Sequence, residues 1–266
     1  MIRPMDLGIR GRAAIVGGAS SGLGAAVADR LAAEGCRLLL WSRNESGLSP
    51  VAERLRRAYG VDVAIAAVDA ADEHAPDQLE KAVTAGLGSV DICILNAGGP
   101  PTVDPLATDI AGWRHAFQLL AITQIQLATR LIGPMRDRGW GRVVALASTS
   151  VKEPIGPLVY SSAGRSALVA WMKTVAPLVV ADGVTLNGVL TGPIDTPRAA
   201  QLDEERAQRE GRPFEDVRAE RLAGIPARRM GRPAELAGLV AYLCSEPAGY
   251  QTGTFTLFDG GMVRAL

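Results

Sequence analysis

The chain has 266 residues, 48% of them hydrophobic and 5% aromatic, with 28 basic side chains balancing 28 acidic ones. That length and composition suit one sizeable core built from Ala, Val, Leu and Ile rather than from aromatic rings. A formal charge of zero gives no general attraction to nucleic acid or to an anionic membrane, which argues against both as principal partners.

The N-terminal stretch MIRPMDLGIRGRAAIV has no long apolar segment ahead of a cleavage site and reads as the lead-in to a first strand. No apolar run approaches the ~18 residues of a membrane span. Cys36, Cys93 and Cys244 stand far apart without a CxxC pair. Free thiols in a reducing, cytoplasmic setting are therefore expected.

Apolar runs of strand length recur at 13–18 (AAIVGG), 38–42 (LLLWS), 63–69 (VAIAAVD), 91–99 (DICILNAGG), 142–148 (RVVALAS), 184–190 (VTLNGVL) and 254–261 (TFTLFDGG). They are continuous rather than alternating, as strands buried on both faces are. Ala-rich segments of helical period separate them at 24–34, 48–59, 78–86 and 113–136. This alternation predicts an α/β fold, a doubly wound parallel sheet with helices on both faces. The segment 201–224 (QLDEERAQREGRPFEDVRAERLAG) breaks the rhythm with dense charge of both signs. It reads either as a solvated helical excursion with internal ion pairs or as a mobile lid, at about 198–226, beside a pocket.

The first strand runs into GGASSGLG at 17–24, where Gly18, Gly22 and Gly24 have the spacing GxxxGxG. Small residues at a strand-to-helix turn let a backbone approach a pyrophosphate, and the helix N-terminus offers unpaired N–H groups. Ser20 and Ser21 add hydroxyls. The second strand ends in Ser42 and Arg43, where an NAD site usually has Asp or Glu. A guanidinium there suits the 2′-phosphate of NADP; the alternative is an exposed arginine opening a turn with Asn44.

With these motifs, VDAAD at 68–72, LNAGG at 95–99, LNGVLTGPIDTPR at 186–198, and IPARRMGRPAELAGLVAYLCS followed by TGTFTLFDGG near the C-terminus, nearly the whole chain resembles the short-chain dehydrogenase/reductase family. The resemblance is to its 3-oxoacyl-carrier-protein reductases. It implies a single Rossmann-type domain over 1–266, NADP(H) as cofactor and a homotetramer or dimer. By the same resemblance Gly18, Ser21 and Leu23, with Ser20, Gly22 and Gly24, line the pyrophosphate. Asp69 and Ala70 flank the adenine, Asn96, Ala97 and Gly98 the adenosine ribose, and Pro193, Ile194 and Thr196 the nicotinamide side.

Enzymes of the family use an Asn, a Ser and a Tyr–x–x–x–Lys pair. The tyrosine exchanges the proton, the lysine lowers its pKa and holds the nicotinamide ribose, and the serine polarises the substrate oxygen. Ser148 matches that serine. Thirteen residues on stands Ser161, and four further Arg165, so one register replaces tyrosine by Ser161 and lysine by Arg165. A register shifted by one keeps Tyr160 but puts Gly164 at the lysine position. Tyr160 and Arg165, five apart, do not share a helical face, unless the loop KEPIGP absorbs one residue. The asparagine falls at or near Leu120, with Gln118, Thr123 and Gln124 nearby. Lys152 is a further loop cation. His74 and His115 lack metal-ligand spacing, and no metal is expected.

The expected activity is NADPH-dependent interconversion of a ketone, 3-oxoacyl-like or otherwise small and apolar, with a secondary alcohol. Two alternatives stand beside it: a non-catalytic NADP-binding sensor or scaffold, and an enzyme whose acid is a water held by Ser148 and Ser161. The resemblance puts the pocket at Pro100–Asp104, Ile155–Val159 and the charged excursion. Arg228, Arg229 and Arg232 either form a basic patch for a carrier protein or are simply solvated.

Overall fold

The computed structural model describes residues 6–265; the first five residues of the expected lead-in lie outside them. Its strands are β1 (Ala13–Gly17), β2 (Arg37–Ser42), β3 (Val63–Ala67), β4 (Ile92–Leu95), β5 (Gly141–Ser148), β6 (Val184–Thr191) and β7 (Phe255–Phe258). They form one seven-stranded sheet in the order β3-β2-β1-β4-β5-β6-β7. Every pairing is parallel. The doubly wound sheet expected from the apolar runs is the one observed.

The continuous apolar runs feed two cores at once. In β1, Ala13 and Ile15 point to one core and Ala14 and Val16 to the other. In β4, Cys93 and Leu95 oppose Ile92 and Ile94 in the same way. Period-2 side-chain direction with helices on both faces demands apolar residues at every strand position. Helices α1 (Gly22–Ala33), α2 (Glu45–Tyr59) and α9 (Pro233–Leu243) cover one face. On the other lie α3 (Ala75–Gly86), α5 (Thr123–Asp137) and α6 (Val159–Val179). The three cysteines are buried thiols.

One expected helix is two. The segment 113–136 resolves into α4 (Ile110–Phe117) and α5, joined by a π-helical turn, Gln118–Ile122. The wider turn is held by Gln118 Nε2 donating to Thr123 Oγ1 (3.0 Å) and Thr123 Oγ1 donating to Ala70 O (2.8 Å). Gly164 of α6 packs against Leu120 within it.

The charged excursion forms α7 (Pro197–Glu210) and α8 (Phe214–Gly224). Arg206 and Arg212 each pair with both Glu210 and Glu220, between 2.6 and 3.0 Å, cross-linking the two helices. Beneath them Arg221 donates through Nε to the fully buried Asp203 (2.6 Å). No helix among the described residues is long and apolar enough to cross a membrane.

Candidate active site

The order 3-2-1-4 reverses the sheet's winding between β1 and β4, and the crevice outside their C-terminal ends is where such folds bind ligands. The glycine turn lines one side. Gly18 has φ +58°, and a Cβ there would stand 2.6 Å from Asn96 Nδ2, so no larger residue fits. Asn96 donates from Nδ2 to Gly17 O (2.9 Å), tying the β4 loop to the turn. Gly22 and Leu23 open α1, with Gly24 packed under Gly17 and Gly18. Ser21 is the N-cap of α1, and its side chain makes no cap bond. Its hydroxyl and the first N–H groups of α1 form a cradle suited to a phosphate.

Across the crevice, a Cβ on Gly22 would come 3.7 Å from the Thr196 side chain. Thr196 caps α7 by accepting from Ala199 N (3.3 Å). Ile194 bridges to Gly231, which fixes the Pro193–Thr196 loop to the C-terminal segment. At the β2 end, Arg43 is exposed, and Ser42 Oγ donates to Asn44 O (3.3 Å). Asp69 is exposed after β3, and Ala70 lies buried beside it under Thr123. Ala97 is buried and Gly98 exposed at the β4 end. Thus the residues expected to hold a dinucleotide all lie on the C-terminal edge of β1–β4 and β6, and their small residues and open N–H groups fit one.

The one-residue slip is resolved by which way α6 faces. Tyr160 is 4% exposed and turned toward α4. Its Oη accepts from Asp109 N (2.9 Å) and donates to Asp109 O (3.3 Å). Its ring meets Trp113 edge-on at 4.8 Å. The ring fills a notch left by Gly112: a Cβ there would fall 2.5 Å from Tyr160 Cζ and 2.8 Å from Cε2. Tyr160 and Gly164 thus share the face that packs on α4 and the π turn.

Ser161 and Arg165 lie about 100° round the helix. Arg165 Nε donates to Ser161 Oγ (3.3 Å) and Nη1 to Leu146 O of β5 (2.7 Å), two residues short of Ser148. Burial, and then the like charge of Arg198, push Arg165 down to about 10. Ser148 ends β5 and accepts through Oγ from Ser150 N (3.1 Å). Of the expected catalytic residues, Ser161 and Arg165 therefore meet beside the strand that ends in Ser148, while Tyr160 is held elsewhere.

Leu120, at the asparagine position, is buried in the π turn. Gln124 is buried, with Nε2 on Leu119 O (3.3 Å) and Oε1 without a partner. Lys152, His74 and His115 are exposed. No group of three or more His, Cys, Asp or Glu that could hold a metal occurs among the described residues. Arg229 and Arg232 both pair with Glu235, and Arg228 donates to Ala223 O (2.6 Å). The pocket loops meet where Val103 N donates to Pro157 O (3.1 Å).

Two residues the motifs do not single out also reach this edge. Arg198, in the first turn of α7, donates from Nη2 to Pro100 O (2.8 Å). Glu205, two helical turns on, lies 3.7 Å from Arg198 Nη1. The signal for Arg198 is its place two residues after Thr196, on a loop already expected to close on the nicotinamide.

Residues 18–263 match the family model described as Enoyl-(Acyl carrier protein) reductase. Nodulation protein G of Azospirillum brasilense is 32% identical over 253 residues, covering 94% of this chain and 97% of its own. The 3-oxoacyl-[acyl-carrier-protein] reductase FabG of Escherichia coli K12 is 30% identical over 258 residues, covering 96% and 99%. The crystal structure of L-sorbose reductase from Gluconobacter frateurii, complexed with NADPH and L-sorbose, superposes with a TM-score of 0.93 at 31% identity, covering 98% of this chain and 100% of that one.

Proposed function

The chain belongs to the short-chain dehydrogenase/reductase family, and on that premise we propose that it is an NADPH-dependent oxidoreductase interconverting a ketone and a secondary alcohol. The observation that carries the reading is the meeting of Ser161 and Arg165 beside the β5 strand that ends in Ser148, next to an intact dinucleotide cradle. Relatives named as ketoacyl and sorbose reductases favour chemistry over a silent cofactor-binding module.

Ser20, Ser21 and the N–H groups of the Gly18–Gly24 turn hold the pyrophosphate. Ser42 and Arg43 take the 2′-phosphate. Asp69 and Ala70 flank the adenine, Asn96–Gly98 the adenosine ribose, and Pro193, Ile194 and Thr196 the nicotinamide side. Bound NADPH supplies the hydride. Arg165, at the lysine position, is cationic and holds ribose hydroxyls as a fork rather than as a point charge. Ser148 donates to the substrate oxygen. Ser161 gives that oxygen its proton, directly or through one water, and the cation at Arg165 Nε favours the loss. Tyr160 serves packing and not proton transfer.

Support for self-association comes from exposed Ile110 and Ile122, which stand near a groove of about 790 Å³ lined in part by Trp113 and Phe117. A dimer or tetramer in light scattering is expected. The chain works as one domain, with α7 and α8 as the lid over the substrate end.

The test is NADPH oxidation on a ketone panel by the protein and two variants. Ser161→Ala lowers kcat by ~10²-fold or more, as losing a placed proton donor does. Tyr160→Phe keeps turnover within a few fold. The reverse ranking sinks the Ser161 assignment. NADPH binding with no turnover anywhere on the panel sinks the reductase.

A further inference from the structure

Resting on the reductase reading, we propose that the ketone carries its own carboxylate: the substrate is an oxo acid, bound by the guanidinium of Arg198, with the charge of Arg165 adding to the field.

Arg198 spans the crevice from α7 to the loop after β4. Its Nη2 reaches Pro100 O, and its guanidinium lies 3.5–3.9 Å from where a Cβ on Gly99 would stand. Arg165 rises from α6 to the end of β5. The two charges are near enough that Arg198 helps hold Arg165 below its ordinary range. Acidic compensation is thin. No carboxylate of the described residues lies within 4.0 Å of Arg165. Glu205 approaches Arg198 at 3.7 Å, too far for a hydrogen bond. Its Oε1 and Oε2 are already engaged by Gln201 (2.8 Å) and Thr102 (3.1 Å).

The half-buried Arg198 guanidinium, whose one carboxylate neighbour, Glu205, stands no nearer than 3.7 Å, suits a planar, bidentate acceptor. Arg229 and Arg232 pair with Glu235 on the exposed surface, whereas Arg198 stands over the crevice, where a small anion enters.

The experiment uses the full chain saturated with NADPH and reads nucleotide fluorescence while succinate or glutarate is added, each against its diamide. In parallel, turnover of acetoacetate and levulinate is compared with that of their methyl esters. The carboxylates bind about tenfold or more tighter than the amides, and the acids are preferred to the esters by a similar factor. Arg198→Met removes most of both differences while the NADPH Kd stays within about twofold, and Arg198→Lys keeps part of them. Glu205→Gln, which removes the competing carboxylate, tightens succinate a few fold. Equal binding of acid and amide by the unaltered protein overturns the proposal. So does an acid preference that neither Arg198→Met nor Glu205→Gln changes. Binding of carboxylates without reduction of any oxo acid leaves the anion site standing and sinks the reductase. Reduction of neutral ketones without a carboxylate preference does the opposite.

Discussion

Tyr160 and Ser161 are neighbours in sequence with opposite surroundings, because one residue of helix is a rotation of about 100°. The tyrosine's place depends on Gly112, on the far side of the π turn. Gly112→Ala drives a methyl into the ring. Overpacking of that kind costs about 1–3 kcal/mol, so a drop of several degrees in Tm by calorimetry is expected. Tyr160→Leu in the same chain recovers part of that loss, because the colliding ring is gone. The sequence leaves both registers open because the deciding contacts, Asp109 and Gly112, lie some fifty residues upstream. No local pattern around Tyr160 encodes them. Arg165 carries a pH signature. Its folded-state pKa is lowered to about 10, mainly by burial. It is charged below that value and loses its charge as pH rises through it. Reduction and succinate binding should hold to about pH 9 and fall beyond about pH 10, whereas a site run by a histidine would break near ~6.5.

Among the elements, strands are the most legible. Each expected apolar run contains its strand within a few residues, because burial on both faces keeps the strands largely apolar, with Arg142, Thr185 and Asn187 as buried exceptions. The junction of α4 and α5 is not legible. A π turn inserts one residue without changing composition, and its stability comes from Gln118, Thr123 and the close approach of Gly164. The start of α9 is a different case. Glu235 accepts from the N–H of Arg232 (2.8 Å) and pairs with Arg229 and Arg232. The Arg229 hydrogen bonds above all hold its carboxyl down at about 2, against an ordinary 4.5. A lowered carboxylate pKa stabilises the fold above the ordinary value, and that contribution drains away as pH falls from about 4.5 toward about 2. Glu235→Gln should lower Tm slightly at neutral pH, leave it nearly unchanged near pH 2, and so flatten that part of the Tm-against-pH curve. An unchanged acid limb would mean that Glu235 titrates alike in the folded and unfolded chain.

Over the whole molecule, two cores sandwich the sheet, and a third small cluster, Ala199, Ile225 and Met230, sits under α7 and α8. These two helices hang on few apolar contacts and many exposed ion pairs, which makes them the least stable part of the fold. Amide hydrogen exchange should run fastest in residues 201–224, slow there on addition of succinate to the NADPH complex, and change little in β1, β4 and β5. Uniform exchange across α7, α8 and the sheet would remove the lid. The charged composition of 201–224 announced an excursion, and the structure shows it as a pair of ion-paired helices; their motion as a lid is what the exchange experiment tests.

The notch at Gly112 has a consequence for descent. A lineage carrying this arrangement cannot step back to a tyrosine–lysine pair by one substitution. Tyrosine at 161 would have to share its helical face with the Arg165 side chain, already laid against β5. Lysine at 165 alone would find a serine. Filling Gly112 first would expel Tyr160 with nothing to replace its packing. A return therefore needs changes at both 161 and 165, and Gly112 cannot be filled while Tyr160 stays. Sequences that carry Tyr160 in this notch should be found to carry Gly112 with it.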